Sequence, residues 1–150
     1  MRTLRNNSNY IILQIFACIG QSVDVTILAR ACQKSLDDVY DGLWPAILDG
    51  IVVLNDASYR FLHDRIHAAA YSLIDVYQLP SVHLTIARLF LSQMTNDEIE
   101  MQLFDIVNHL NNGLSRIHNR NEKDKVISLN IRAAFKAKDS IAYAAAQHYF

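Results

Sequence analysis

Residues 51–61 have the sequence IVVLNDASYRF, and this stretch decides the fold class. The β-branched run at 51–54 and the aromatic alternation at 59–61 favour extended strands. The residues between them, 55–58, have the composition of a turn, so the stretch predicts a short β-hairpin. On both sides of it, apolar residues recur with helical spacing. We therefore predict a mainly α protein with one small hairpin.

Three helices are predicted before the hairpin. The first covers residues 9–19, the second covers residues 24–33, and Ser35 caps a third that reaches Leu48. Three helices followed by a short β-hairpin is the order of a winged-helix unit, a compact helix-turn-helix variant whose wing is the hairpin. We assign residues 9–75 to this winged-helix-like domain.

Only helical patterns follow the hairpin, and we assign residues 76–150 to a helical bundle. The alanines of the last helices allow close helix packing, which fits either helical-hairpin repeats or a single bundle. Asp139 or Ser140 is predicted to cap the last helix, and no stop signal follows that helix, so we expect the chain to continue in a longer protein. The predicted helices cover residues 63–74, 81–92, 97–111, 122–138 and 141–150.

Composition excludes several classes of protein. The 150 residues include 51% hydrophobic residues, and their net charge is -1, so no overall field attracts nucleic acid or anionic lipid. Cys18 and Cys32 lie in apolar helical patterns, which predicts reduced thiols in the cytoplasm. Residues 10–19 follow Arg2 and Arg5 and imitate a signal peptide, but Gln14 interrupts them and they are shorter than the roughly 20 residues of a membrane span.

No local signature of catalysis is present. The sequence contains neither of the glycine-rich loops that cradle nucleotide phosphates, and no nucleophile elbow surrounds any serine. The alternative reading of a winged helix is a DNA-binding transcription regulator. The third helix would then enter the major groove, yet residues 35–49 contain four aspartates and neither lysine nor arginine, so this surface would repel DNA.

His63 and Asp64 are the candidate binding residues, because they lie where the second strand gives way to a helix. Free backbone amides and the positive end of the helix dipole favour an anion there, so His63 could contact a phosphate supplied by another domain. In the competing interpretation, Asp64 only complements the dipole and His63 packs. His63 and His67 also share one helix face, but a metal site lacks a third ligand at motif spacing.

Several segments, in order, resemble the region that follows the STAND-class ATPase module in large bacterial multidomain signalling kinases, either serine/threonine or histidine kinases. The matching segments are FACIG (16–20), GIV (50–52), YRFLHDRIHAAAYSLI (59–74), HLTIARL (83–89), LFDIVNHLN (103–111) and AFKAKDSIAY (134–143).

The resemblance implies an internal regulatory role for the winged helix. Leu62-His63-Asp64 is similar to the Met-His-Asp element of these proteins, whose histidine contacts bound ADP and favours a closed, inactive state; here Leu62 replaces methionine. It also implies that the later helices begin a tetratricopeptide-like array for partner sensing. ATP or ADP would be held by the preceding ATPase module, which this chain lacks, and signalling kinase domains would complete the parent protein.

Overall fold

The computed structural model describes residues 7–149, and most of them are helical. Arg2, Arg5 and Phe150 therefore lie outside the described residues. A 3₁₀ turn, Leu114–Arg116, links the last two helices. The helices are α1 (Asn7–Ile19), α2 (Val25–Cys32), α3 (Leu36–Leu48), α4 (Asp64–Ser72), α5 (Leu79–Gln93), α6 (Asn96–Met101), α7 (Leu103–Asn112) and α8 (Arg120–Tyr149).

The predicted hairpin is confirmed, and a third strand joins it. Strands β2 (Val52–Asn55) and β3 (Ser58–Phe61) pair antiparallel, with Asp56 in the left-handed region at the turn. Strand β1 (Ser22–Asp24) pairs antiparallel with the other edge of β3, so the sheet order is β1-β3-β2. The sequence did not predict β1, because three residues are too few to show a strand period.

Side-chain caps fix the helix starts around this sheet. The Ser35 hydroxyl accepts a hydrogen bond from the Asp38 amide at 3.1 Å, as the sequence predicted. Asp24 caps α2 by accepting from the Thr26 amide at 2.8 Å. Helices α2 and α3, whose starts are fixed in this way, pack against each other.

The first of two hydrophobic cores lies between α1, α2, α3 and the sheet. Phe16 and Phe61 stack at its centre with ring centroids 4.2 Å apart, and both are fully buried. Gly42 allows α3 to approach α1, because a Cβ there would lie 2.5 Å from the Ile12 Cδ1 atom. The other buried members are Leu13, Ala17, Val23, Leu28, Ala29, Val39, Leu43, Ala46, Val52 and Tyr59.

The second core lies mainly between α5, α7 and α8. Ile15, Ile27 and Tyr71, all partly buried, pack against both cores, so the two share a border. The predicted division into residues 9–75 and 76–150 stays a prediction. The buried members of the second core include Leu84, Ile86, Ala87, Phe90, Leu103, Ile106, Val107, Leu110, Ile117, Val126 and Leu129.

Three predicted helix boundaries were wrong. Residues 122–138 and 141–150 do not form two helices, because α8 runs without a break through Asp139 and Ser140. The Ser140 hydroxyl donates to the Lys136 carbonyl one turn back, which satisfies a serine inside a helix without ending it. Residues 97–111 are interrupted at Gln102, and α4 ends at Ser72, which leaves Leu73 exposed.

Candidate functional site

The junction between β3 and α4 carries the two predicted binding residues. His63 has an extended backbone (φ -138°, ψ 152°) immediately before the first helical residue, and its side chain forms no capping hydrogen bond. Both His63 and Asp64 are exposed to solvent. The imidazole is therefore outside both cores and accessible to a ligand from another module.

The chemistry of this junction favours an anion only in part. The first intrahelical bonds run from the Ile66 and His67 amides to the His63 carbonyl, so the amides of Asp64 and Arg65 precede them. Arg65, two residues after His63 in the chain, is exposed and adds positive charge. The Asp64 carboxylate would repel a phosphate, so any contribution of Asp64 to phosphate binding comes from its backbone amide.

His67 has a different environment from His63, and the two do not share a helix face as the sequence predicted, because His63 lies in extended backbone before the first residue of α4. Its Nε2–H donates to the Ala17 carbonyl at 2.8 Å, and its ring lies 5.3 Å from the Phe61 ring. This hydrogen bond ties α4 to α1 and positions the start of α4 relative to the first core. Within residues 7–149 no group of three or more histidine, cysteine, aspartate or glutamate side chains is arranged to hold a metal ion.

The second core contains a buried histidine pair that was not predicted from the sequence. The Nδ1 atoms of His83 on α5 and His109 on α7 are 2.8 Å apart, and each residue is 4% exposed. The Tyr71 hydroxyl, at the end of α4, lies 3.1 Å from the His83 Nε2 atom. Helical spacing marked both histidines only as members of apolar stretches, and no local signal shows that they meet.

Burial keeps both of these histidines neutral. Desolvation, with a smaller contribution from the neighbouring His83, lowers the pKa of His109 to about 4. Desolvation also lowers the pKa of His83. In the neutral pair, one Nδ1–H donates a hydrogen bond to the other Nδ1. If the second Nδ1 were also protonated, the two N–H groups would point at each other and repel. The pair is therefore a hydrogen-bonded part of the second core, and its protonation at low pH would destabilise the fold.

The two cysteines are free, as predicted. Cys18 is buried and Cys32 is half-buried. Desolvation raises the pKa of each thiol to about 12, so neither is a thiolate at neutral pH. Neither cysteine is therefore an activated nucleophile.

Part of the chain is similar in sequence to a known signalling protein. It is 28% identical over 107 residues to hybrid signal transduction histidine kinase G of Dictyostelium discoideum, a relative that is not bacterial. The similarity covers 61% of this chain and 3% of that much longer protein. No family model matches the chain, and no solved structure matches it. This weak similarity indicates a signalling-kinase context. Separately, no helix within residues 7–149 has the length and apolarity to cross a membrane.

Proposed function

We propose that this chain is a noncatalytic regulatory and interaction segment of a cytoplasmic signal-transduction protein. Its similarity to part of a signal transduction histidine kinase supports the signalling context. Large apolar side chains that are exposed on several of the described helices support an interaction role. The partners in this proposal are a preceding ATPase module and signalling kinase domains.

The first four helices and the sheet act, in this proposal, as a winged-helix unit that does not bind nucleic acid. Helices α1, α2 and α3 precede the β2–β3 hairpin, which is the element order of that unit. In a DNA-binding winged helix, α3 would enter the major groove. Asp37 and Asp41 are exposed on α3, and they would repel the phosphates that supply most nonspecific affinity.

His63 is the residue that we propose contacts the nucleotide. The observation that carries this proposal is the exposed imidazole at the first turn of α4, directly after β3. A STAND-class ATPase module would hold ADP or ATP, and the winged-helix unit would close on it so that His63 and the first amides of α4 meet a phosphate. The hydrogen bond from His67 to the Ala17 carbonyl of α1 would keep this turn in place during closure.

The second half of the chain begins, in this proposal, a tetratricopeptide-like array that contacts a protein partner. Helices α5 and α7 pack side by side, and α8 covers α7. Ile127, Ile131 and Phe135 remain exposed on α8, as expected for a helix that a further repeat would cover.

The proposal is tested by measuring ADP binding to the ATPase module that is encoded with this chain. The module is titrated by calorimetry, alone and with this chain fused to its carboxyl end. We expect the fusion to bind ADP more tightly than the module alone. We expect His63→Ala to weaken binding by the fusion about tenfold, or about 1.4 kcal/mol, close to the lower end of what a hydrogen bond to a charged group contributes.

His118→Ala is the matched control. His118 is exposed in the loop before α8, far along the chain from the proposed switch, so its replacement should leave ADP affinity unchanged. Equal affinities for the wild-type and His63→Ala fusions would remove the nucleotide role. An ADP affinity that does not respond to fusion of this chain would remove the closure itself.

A further inference from the structure

Four large apolar side chains form a continuous ridge on the solvent side of α3. Leu36, Tyr40, Trp44 and Leu48 follow one another at intervals of four residues, and they are 50%, 38%, 43% and 66% exposed. The Tyr40 and Trp44 rings are in contact, with centroids 5.7 Å apart. Side chains at this spacing make up one of the ridges by which helices pack into the grooves of other helices.

The opposite side of α3 holds this ridge outward. Val39, Leu43 and Ala46 are buried in the first core, and Gly42 lies against Ile12 of α1. A rotation of α3 that buried Trp44 would expose these residues and drive the Gly42 backbone away from α1. The exposure of the ridge is therefore a consequence of packing on the other face.

An acidic row runs beside the apolar ridge. Asp37, Asp41 and Asp49 occupy the next helical row, with Pro45 between the last two, and all three carboxylates are on exposed residues. Within residues 7–149 none of the three forms an ion pair. The surface thus combines an apolar strip with an edge of negative charge that forms no ion pair with the residues that the structure describes.

We propose that α3 is a docking surface for an amphipathic helix with a leucine-rich face and lysine or arginine along one edge, carried by another protein or module. The ridge fits the groove of such a helix, and the acidic row pairs with its basic edge. A second copy of this chain fits less well, because two α3 helices would bring their acidic rows together. This inference does not depend on nucleotide binding at His63.

Trp44 is the single tryptophan of the chain and lies in the middle of the ridge, so its fluorescence reports occupation of the surface. The probes are two designed helical peptides without aromatic residues, and both have the same leucine-rich face. One carries lysine along the edge of that face, and the other carries glutamate at the same positions. We expect the lysine peptide to shift Trp44 emission to shorter wavelength with saturation, more weakly at high salt. The glutamate peptide should produce no shift.

Two double variants separate the apolar ridge from its charge. Leu36→Ser with Leu48→Ser should weaken the lysine peptide at least tenfold, and Asp37→Asn with Asp41→Asn should weaken it several-fold at low salt only. All four residues are exposed, so circular dichroism and the unfolding midpoint should stay near the wild-type values. The matched control, Ile127→Ser with Ile131→Ser, removes exposed apolar surface from α8 and should change affinity less than twofold.

Each contrary outcome overturns the proposal. Equal binding of both peptides, or equal weakening by the α8 control, would show nonspecific adsorption. An emission shift that grows with protein concentration in the absence of peptide would assign the ridge to a second copy of the chain. A saturable shift with mixed duplex DNA but not with the lysine peptide would assign α3 to nucleic acid.

Discussion

The two hydrophobic cores of this protein are built from different chemistry. The first, between α1, α2, α3 and the sheet, is centred on the stacked rings of Phe16 and Phe61, and none of its described residues is a buried histidine. The second, between α5, α7 and α8, encloses His83 and His109 in direct contact. The first core therefore depends on shape and apolar area, whereas the second also depends on protonation.

We therefore expect histidine protonation to destabilise mainly the second core, which holds both buried histidines. The two cores share a border at Tyr71, whose hydroxyl contacts His83 while its ring packs against both cores. Loss of packing in either core should therefore lower the free energy of unfolding of the whole protein. The pH dependence of that free energy should show which core was disturbed.

The largest expected effect comes from the centre of the first core. Phe61→Ala removes a fully buried ring that stacks on Phe16, so we expect it to reduce the free energy of unfolding by about 3–5 kcal/mol. Urea unfolding at neutral pH measures this loss. Phe135→Ala, at a residue 60% exposed on α8, is the control and should change stability by roughly 0.5 kcal/mol or less. Similar losses for both variants would contradict the description of the first core.

Acid should act on the second core. The pKa of His109 is about 4 in the folded protein and 6.5 ordinarily, so the unfolded chain takes up this proton first as the pH falls. Stability should be complete above pH 6.5 and should decline towards pH 4, by about 3 kcal/mol for His109. The lowered pKa of His83 acts in the same direction. Urea unfolding at several pH values between 7.5 and 4.5 measures the slope.

Variants in each core assign this slope to its origin. His83→Asn with His109→Asn retains short polar side chains near the two Nδ1 positions, and it should flatten the pH dependence even if the protein is less stable at pH 7.5. Phe61→Ala should keep the wild-type slope. Most of the effect of Asp24, Glu98 and Glu122 lies below this window, because hydrogen bonds lower their folded pKa values and their stabilisation is lost mainly as the pH falls below the ordinary values of 3.8 and 4.5. A slope that survives in the double histidine variant would refute the assignment.

The smallest expected effect tests how closely α5 and α7 pack. A Cβ at Gly113 would lie 2.7 Å from the Leu84 Cβ and 2.9 Å from the Pro80 carbonyl oxygen, so one of these groups must move. We expect Gly113→Ala to reduce the free energy of unfolding by about 1–3 kcal/mol, without changing the pH slope. Ser115→Ala, at an exposed position two residues further on, is the control. An equal stability of both variants would mean that the second core yields easily at this helix end.

Local patterns were sufficient to predict most elements. The β-branched run before a turn and the aromatic alternation after it predicted β2 and β3, and Ser35 marked the start of α3. These signals operate between residues close in the chain, so they survive without tertiary context. The predictions failed where local preference is weak, at the three-residue strand β1 and at Asp139 and Ser140, which favour a helix start but lie inside α8.

The sequence by itself determined the mainly helical class, the position of the hairpin, and the location of His63 at the start of α4, because each follows from spacing along the chain. Only the tertiary structure decided that His83 meets His109, and that the Leu36–Leu48 ridge faces solvent. Both depend on which helices pack together, and packing partners distant in the chain leave no period in the sequence. Burial then sets the charge of the histidines, since desolvation acts only once the surrounding helices exclude water.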